Sequence, residues 1–343
     1  MRVGGNSIHR FSNTSVLSVC AIDAPKSVTS AAIDAELAEV YQRVNLRPGM
    51  MQRLAGIEER RWWNEGTTFV DGAAMAGAKA MAEAGVQPGE IGLIVNTSVS
   101  RAHLEPSTAV AVHHTLGLPT SCLNFDVTNA CLGFVNGMQL ASAMIDNGQI
   151  DYALVVNGED AQEIHTKTIE RLRNGADDAR SVYEQFASLT LGSGAAAMVL
   201  GRTDRHPEGH RYLGGVTRAG SEHHLLCVGT MDHMQTDSTG LMNAGIALSA
   251  DLWAESADDF GWRSGISRYV MHQVSNVHTR AIAKVFDLDL ERVPLTFPQR
   301  GNLGPAAIPF TLAGVVDELA AGDRVLLLGI GSGLNASITE IVW

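Results

Sequence analysis

The chain has 343 residues, 45% of them hydrophobic, with 35 glycines and only 6% aromatics, enough apolar material for one large core or two packed halves. A formal net charge of −12 excludes a nucleic-acid-binding surface, because neutralising phosphates needs a basic face. Residues 1–11 carry no apolar signal segment, no apolar run approaches the roughly 20 residues that span a bilayer, and Cys20, Cys122, Cys131 and Cys227 show no disulfide or metal-ligand spacing, so a reducing cytoplasm is the expected compartment.

In chain order, helical and strand patterns alternate. Helical spacing covers 68–84, followed by the apolar run IGLIVNTS from Ile91 and a second helical stretch at 107–116. A third helix is expected at 132–147, then the strand YALVVNGE from Tyr152 and a polar helical stretch at 161–188. GAAAMVLG from Gly194 and SRYVMHQ from Ser267 read as strands, 276–286 and 306–320 as helices, and RVLLLGIG from Arg324 as a late strand. Such alternation predicts an α/β class with a largely parallel sheet.

Two of these stretches match each other. CLGFVNGMQLASAMIDNGQIDYALVVNG begins at Cys131 and NLGPAAIPFTLAGVVDELAAGDRVLLLG at Asn302. Both open with Leu-Gly after the first residue, run through a helix ending in glycine, and enter an apolar strand after an aspartate. Upstream, LIVNTS and YVMHQV correspond as well. The expected organisation is therefore a duplicated core, 1–205 and 206–343, with 161–188 inserted in the first half. Cys131 and Asn302 then occupy equivalent positions, and pseudo-symmetric packing aims both helix N-termini at one central crevice.

Cys131 precedes a helix whose apolar positions are Leu132, Val135, Met138, Ala141, Met144 and Ile145, stopped at Gly148. Free backbone N–H groups and the macrodipole at that end favour thiolate over thiol, and a thiolate attacks a thioester to give an acyl-enzyme. A buried structural cysteine is the alternative. His272, at a strand end, is placed to exchange a proton or hydrogen bond beside a carbonyl; a purely structural histidine is the alternative. The Asn302 amide can donate to a developing oxyanion, or simply serve the turn beside Gly301. GIGSGLN, residues 329–335, follows the last apolar strand with no βαβ unit after it, which argues against a dinucleotide fingerprint. Its glycines let backbone N–H groups approach a ligand oxygen, or make a plain turn between strands. Glu105, before Pro106, is either a solvated loop carboxylate or a general base.

Together these blocks resemble the thiolase superfamily, in particular its ketoacyl-ACP synthase III branch. FDVTNACLGF, MHQVS and GNLGPAAIP match the Cys, His and Asn blocks of that branch in order, and GIGSGLN matches its oxyanion loop; the resemblance spans essentially the whole chain. Within the branch, NTSVSRAHLEPSTA, QIDYALVVNGE and LTLGSGAAAMV resemble the members that condense two fatty acyl-CoAs head to head, at the start of olefin and β-lactone pathways. The resemblance implies a thiolase fold, two pseudo-symmetric α/β halves packed as a layered αβαβα sandwich. It implies that Cys131 is the acylated nucleophile, that His272 and Asn302 polarise thioester oxygens, and that the N–H groups of Cys131 and Ser332 form an oxyanion hole. It further implies a homodimer in which Glu105 acts as base in the neighbouring subunit's site, no cofactor, fatty acyl-CoA as substrate, and downstream pathway enzymes as possible partners. A decarboxylating synthase makes its carbanion by losing CO₂ from a malonyl thioester and needs no such base, whereas direct removal of an α-proton requires a placed carboxylate. That decarboxylative chemistry and a non-catalytic partner subunit are the competing expectations. The branch grips the coenzyme with a Trp and an Arg where this chain has Met50 and Leu54; Arg53, Arg60, Arg61, Trp62 and Trp63 stand nearby as possible substitutes.

Overall fold

The computed structural model describes residues 7–230 and 232–343, so the first six residues of the segment read above for a signal lie outside the described residues. Its strands are β1 (Ile8–Arg10), β2 (Thr14–Asp23), β3 (Lys26–Thr29), β4 (Glu59–Trp62), β5 (Leu93–Asn96), β6 (Leu123–Asp126) and β7 (Tyr152–Glu159). Then come β8 (Gly194–Arg202), β9 (His210–Ala219), β10 (Cys227–Gly229), β11 (Met234–Thr236), β12 (Arg268–Met271), β13 (Arg324–Gly331) and β14 (Asn335–Val342). Among the described residues no helix is long and apolar enough to cross a membrane.

Ten strands form one sheet in the order β12-β13-β14-β9-β2-β8-β7-β5-β6, with β1 paired to β9. The same run of pairings occurs twice. β5 lies parallel to β7, β7 antiparallel to β8 and β8 antiparallel to β2. Likewise β12 lies parallel to β13, β13 antiparallel to β14 and β14 antiparallel to β9. The two runs join where Ser15 and Val16 pair with Arg211 and His210. The expectation of a largely parallel sheet is therefore corrected: among the described strands only β5–β6, β5–β7 and β12–β13 pair in parallel. The cause lies in the connections. β14 follows β13 after a turn far too short to carry the crossover that a parallel neighbour needs.

Alternation along the strands assigns the layers. Ala153 and Val155 of β7, and Val325 and Leu327 of β13, face a core shared with the helix Gly133–Asp146 and with Ile308 and Leu312 of the helix Ala307–Ala313. Leu154 and Val156 point the other way, onto the alanine-rich face of the helix Phe69–Ala84. Leu326 and Leu328 face the core packed by Leu252 and Trp253 of the helix Ser238–Ser256 and Ile282 and Phe286 of the helix Asn276–Phe286. The result is the layered sandwich expected for a thiolase-like fold, with the two helices that follow Cys131 and Asn302 in its middle. Each fully buried Leu, Ile or Val there contributes roughly 1.5–3 kcal/mol.

Element ends follow local chemistry. The helix Phe69–Ala84 starts at a capping box in which Thr68 Oγ1 accepts from the Asp71 N–H and Asp71 Oδ2 accepts from the Thr68 N–H. The helix expected over 306–320 stops instead at Ala313, capped by Gly314, a poor helix former, and resumes only as the short turn Val316–Glu318. The stretch 161–188 folds as two helices, Gln162–Gly175 and Ala179–Leu189, split before the second N-cap Asp178.

Candidate active site

Cys131 sits one residue before the N-cap Leu132 of the helix Gly133–Asp146, so the helix begins one residue later than its apolar pattern suggests. The approach is a tight bend. Ala130 has φ +43°, Leu132 N–H donates to Asn129 O at 2.9 Å, and Gly133 N–H donates to Ala130 O at 3.2 Å. The expected thiolate is corrected here. Cys131 keeps partial access but is surrounded by packed atoms, and this burial pushes its thiol up to about 12, with the Cys227 sulfur and the Glu159 carboxylate adding to the effect. At rest the group is a neutral thiol.

The last strand turn reaches the same place. A Cβ on Gly331 would lie 3.1 Å from Asn129 O, 3.3 Å from Leu132 N and 3.4 Å from Cys131 N, so any larger residue would press the Cys131 bend back by a few tenths of an ångström. Ser332 is next in that turn. Neither its backbone N–H nor that of Cys131 donates to another described residue.

His272 leaves the end of β12, with its N–H donating to Leu328 O at 2.9 Å. Its side chain is 3% exposed, and Nδ1 has no partner among the described residues. Burial holds the imidazole far below its ordinary range, at about 3, and the neighbouring His278 pushes it the same way, so the ring is neutral. Gln273 clamps this strand end to the segment leading to Asn302. Its Nε2 donates to Met271 O and Pro294 O at 3.0 and 3.2 Å, and its Oε1 accepts from the Thr296 and Phe297 N–H groups at 2.9 and 3.3 Å.

Asn302 is held by its own backbone, donating to Thr190 O at 2.8 Å and accepting from the Gly192 N–H at 2.9 Å. Gly301 makes this possible: its φ is +68°, and a Cβ there would lie 2.7 Å from Thr190 O. The Asn302 Oδ1 accepts from Gly304 N–H at 2.9 Å, which turns Nδ2 away, with no hydrogen-bond partner among the described residues. Ser332 thus lies in the turn beside the Cys131 bend, His272 leaves β12 alongside the end of β13, and the turn that carries Asn302 brings Gly304 against Glu159 at the end of β7. The arrangement presents one thiol, one neutral imidazole and three unused N–H donors, the equipment for handling a thioester carbonyl.

Glu105 stands apart. It is exposed, and no described hydrogen bond or ion pair links it to the other four. Its neighbour Leu104 is 90% exposed. The loop that carries it is nevertheless pinned at both roots. Glu159 accepts from the N–H groups of Val99 and Ser100 at 2.8 and 3.0 Å, and Asp126 accepts from those of Thr108 and Ala109 at 3.0 and 2.9 Å. Arg101 adds an ion pair to Asp126 at 3.5 Å.

Glu159 was missed in the sequence, although its place at the end of YALVVNGE is the position that singled out His272. It is buried; burial raises its pKa while the bonds from Ser100, Val99 and Asn157 oppose the rise. Of the candidate coenzyme contacts, Arg60 and Trp63 are buried, bonding Leu189 O and Glu159 O, and cannot meet a ligand from solvent. Met50 is buried as well, Leu54 is 46% exposed, Arg61 pairs with Glu59, Trp62 donates to His165, and Arg53 is exposed. Among the described residues no cluster of three His, Cys, Asp or Glu is placed to hold a metal ion.

Comparison with known proteins places this geometry in context. The 3-oxoacyl-ACP synthase III family matches residues 125–219, and the C-terminal part of that family matches residues 262–343. An acyl-CoA:acyl-CoA alkyltransferase of Xanthomonas campestris is 43% identical over 97% of this chain and 99% of its own length. One from Shewanella oneidensis is 33% identical over 93% and 96%. The crystal structure of a cysteine-to-serine form of Xanthomonas campestris OleA with bound lauric acid and lauroyl-CoA superposes with a TM-score of 0.95 at 42% identity, covering 97% of this chain and all of that one.

Proposed function

The chain belongs to the acyl-CoA:acyl-CoA alkyltransferase family, condensing acyltransferases related to ketoacyl-ACP synthase III, and from that premise we propose that it joins two fatty acyl-CoAs by a non-decarboxylative Claisen condensation through an acyl-Cys131 intermediate. In the first half-reaction the Cys131 sulfur attacks the thioester carbonyl of one acyl-CoA as its proton passes to the neutral His272. The N–H groups of Cys131 and Ser332 stabilise the tetrahedral oxyanion, and CoA departs as thiol with that proton. In the second, Glu105 of a partner subunit removes an α-proton from another acyl-CoA, while His272 and the Asn302 Nδ2 donate to the enolate oxygen. The α-carbon attacks the acyl-Cys131 carbonyl, the carbon–carbon bond forms as the carbon–sulfur bond breaks, and the departing Cys131 sulfur takes up the proton that Glu105 removed, restoring thiol and carboxylate and giving a 2-alkyl-3-oxoacyl-CoA.

The observation that carries this reading is the pair of unused N–H groups on Cys131 and Ser332, brought together by the bare Cα of Gly331 beside a thiol. A burial-raised thiol suits it: the resting site avoids an isolated buried thiolate, and the proton leaves only as the carbon–sulfur bond forms. Two features support a homodimer. Glu105 rides an exposed, firmly rooted loop, and β6 closes one edge of the sheet with Leu123 50% exposed. The reading keeps two halves, 1–205 and 206–343, with the site between them, needs no cofactor, and places the enzyme in the cytoplasm. Its product is a β-keto thioester of the kind that olefin or β-lactone pathway enzymes would take up.

The decisive experiment supplies a long-chain acyl-CoA as sole substrate. Release of free CoA with a β-keto product is the expected result; an absolute requirement for a malonyl thioester would establish the decarboxylative reading instead. A non-catalytic partner subunit would show no acyl adduct on Cys131 by intact mass.

A further inference from the structure

Between the Cys131 bend and the last two strands runs a line of uncharged side chains joined head to tail. Asn335 Nδ2 donates to Asn129 Oδ1 at 3.1 Å, and Asn129 Nδ2 donates to Asn136 Oδ1 at 2.8 Å. Asn136 Nδ2 donates to Gln139 Oε1 at 3.0 Å, and Gln139 Nε2 reaches Ser337 Oγ at 3.5 Å. Ser337 Oγ closes the line by donating to Val216 O at 3.1 Å while accepting from Thr217 Oγ1 at 3.3 Å. The line leaves β14 at Asn335, follows the central helix, and returns to β14 two residues further on. Every link donates in one direction, so turning any single amide around would set donor against donor or oxygen against oxygen. None of the groups ionises, and Gln139 and Ser337 are buried.

We propose that Asn129 is a positioning residue: tied through this one-way amide line to β14, it sets the separation between the N–H groups of Cys131 and Ser332. Three contacts make Asn129 the junction. Its side chain holds Asn335, which closes the turn containing Ser332. Its carbonyl accepts from the Leu132 N–H, shaping the bend that carries Cys131. The same carbonyl is the nearest atom to the point a Gly331 Cβ would occupy. Ala130, between Asn129 and Cys131, holds φ +43°, a left-handed conformation that a residue with a Cβ keeps only when its neighbours over-determine it. Asn129 is the neighbour fixed from both sides. Loss of its side chain frees the bend to relax, and the two N–H groups no longer converge on one oxygen.

This inference rests on the oxyanion reading of Cys131 and Ser332, and the test separates the two. Pre-steady-state acylation of Cys131 by lauroyl-CoA is followed by intact mass in the parent, Asn129→Ala, Asn136→Ala and the double variant, with KM and thermal melting recorded for each. Asn129→Ala is expected to acylate about 100-fold more slowly with KM little changed, because small misplacements of oxyanion donors cost that much. Asn136→Ala, which breaks the line without touching the bend, is expected to lose about tenfold, and the double variant no more than Asn129→Ala alone, the signature of residues acting as one unit. Parental acylation rates in a normally melting Asn129→Ala protein, or losses that multiply in the double variant, would overturn the positioning role. No adduct on Cys131 in the parent would instead sink the functional reading. Should Asn129→Ala fail to fold, Asn136→Ala alone decides: an unchanged acylation rate in it refutes the inference.

Discussion

The surroundings of Cys131 and the loop bearing Glu105 are built on opposite plans. The groups proposed for acyl transfer at Cys131 are inward and uncharged, a thiol pushed up to about 12, an imidazole pushed down to about 3, and amides that cannot titrate, with the buried Glu159 carboxyl near enough to help push the thiol up. The Glu105 loop spends its charges at its roots, on Glu159, Asp126 and Arg101, and leaves its apex to solvent with Leu104 90% exposed. The contrast separates two chemical tasks. On the proposed reading, storing an acyl chain on sulfur needs donors fixed against a carbonyl oxygen, and one chain supplies all of these parts. Removing an α-proton needs a base, and the one proposed, Glu105, stands exposed on its loop, where on that reading a second copy receives it.

Substitutions that hit one region and spare the other test this division. Cys131→Ala has the largest expected effect, loss of both the acyl adduct and the condensed product; product formed at the parental rate would break the comparison outright. Glu105→Ala comes next. CoA release equivalent to one acylation per site should persist while condensation falls by on the order of 10²–10⁴-fold, the usual contribution of a general base. Equal loss of both half-reactions would place Glu105 with the sulfur chemistry. Arg101→Ala removes the ion pair at the loop root and should slow condensation about tenfold through a less well-placed carboxylate, leaving acylation alone. The smallest effect sought is a flat line. His272 has its pKa lowered to about 3, so falling pH does not charge it until far below neutrality, and acylation kcat/KM should show no histidine limb between about pH 8 and 5. A fall centred near pH 6.5 would mean that the site is wetter than this packing describes.

Much of the molecule was legible from residue order alone. The strand beginning at Tyr152, the strand beginning at Arg324 and the helix Asn276–Phe286 have the bounds their patterns suggest. Those patterns are local: period-2 alternation, helical spacing and end caps depend on residues a few positions apart. The internal match between the Cys131 and Asn302 stretches also anticipated that two helices would meet centrally, and the Ala307–Ala313 and Gly133–Asp146 helices share one core. Less readable was the antiparallel share of the sheet, because the side chains of β8 and β14 specify burial but not direction.

By itself, then, the sequence determined the α/β class, the layering, the order of the Cys, His and Asn blocks, and through them the family. Only the tertiary structure decided the protonation of Cys131, the burial of Glu159 and Arg60, and the amide line through Asn129. The reason is physical. A pKa or a hydrogen bond depends on the atoms within a few ångströms, and at this site those atoms come from residues as far apart in the chain as Asn129 and Asn335. Helix-end position argued for a thiolate; the packing around the sulfur, invisible in any window of the chain, outweighs it.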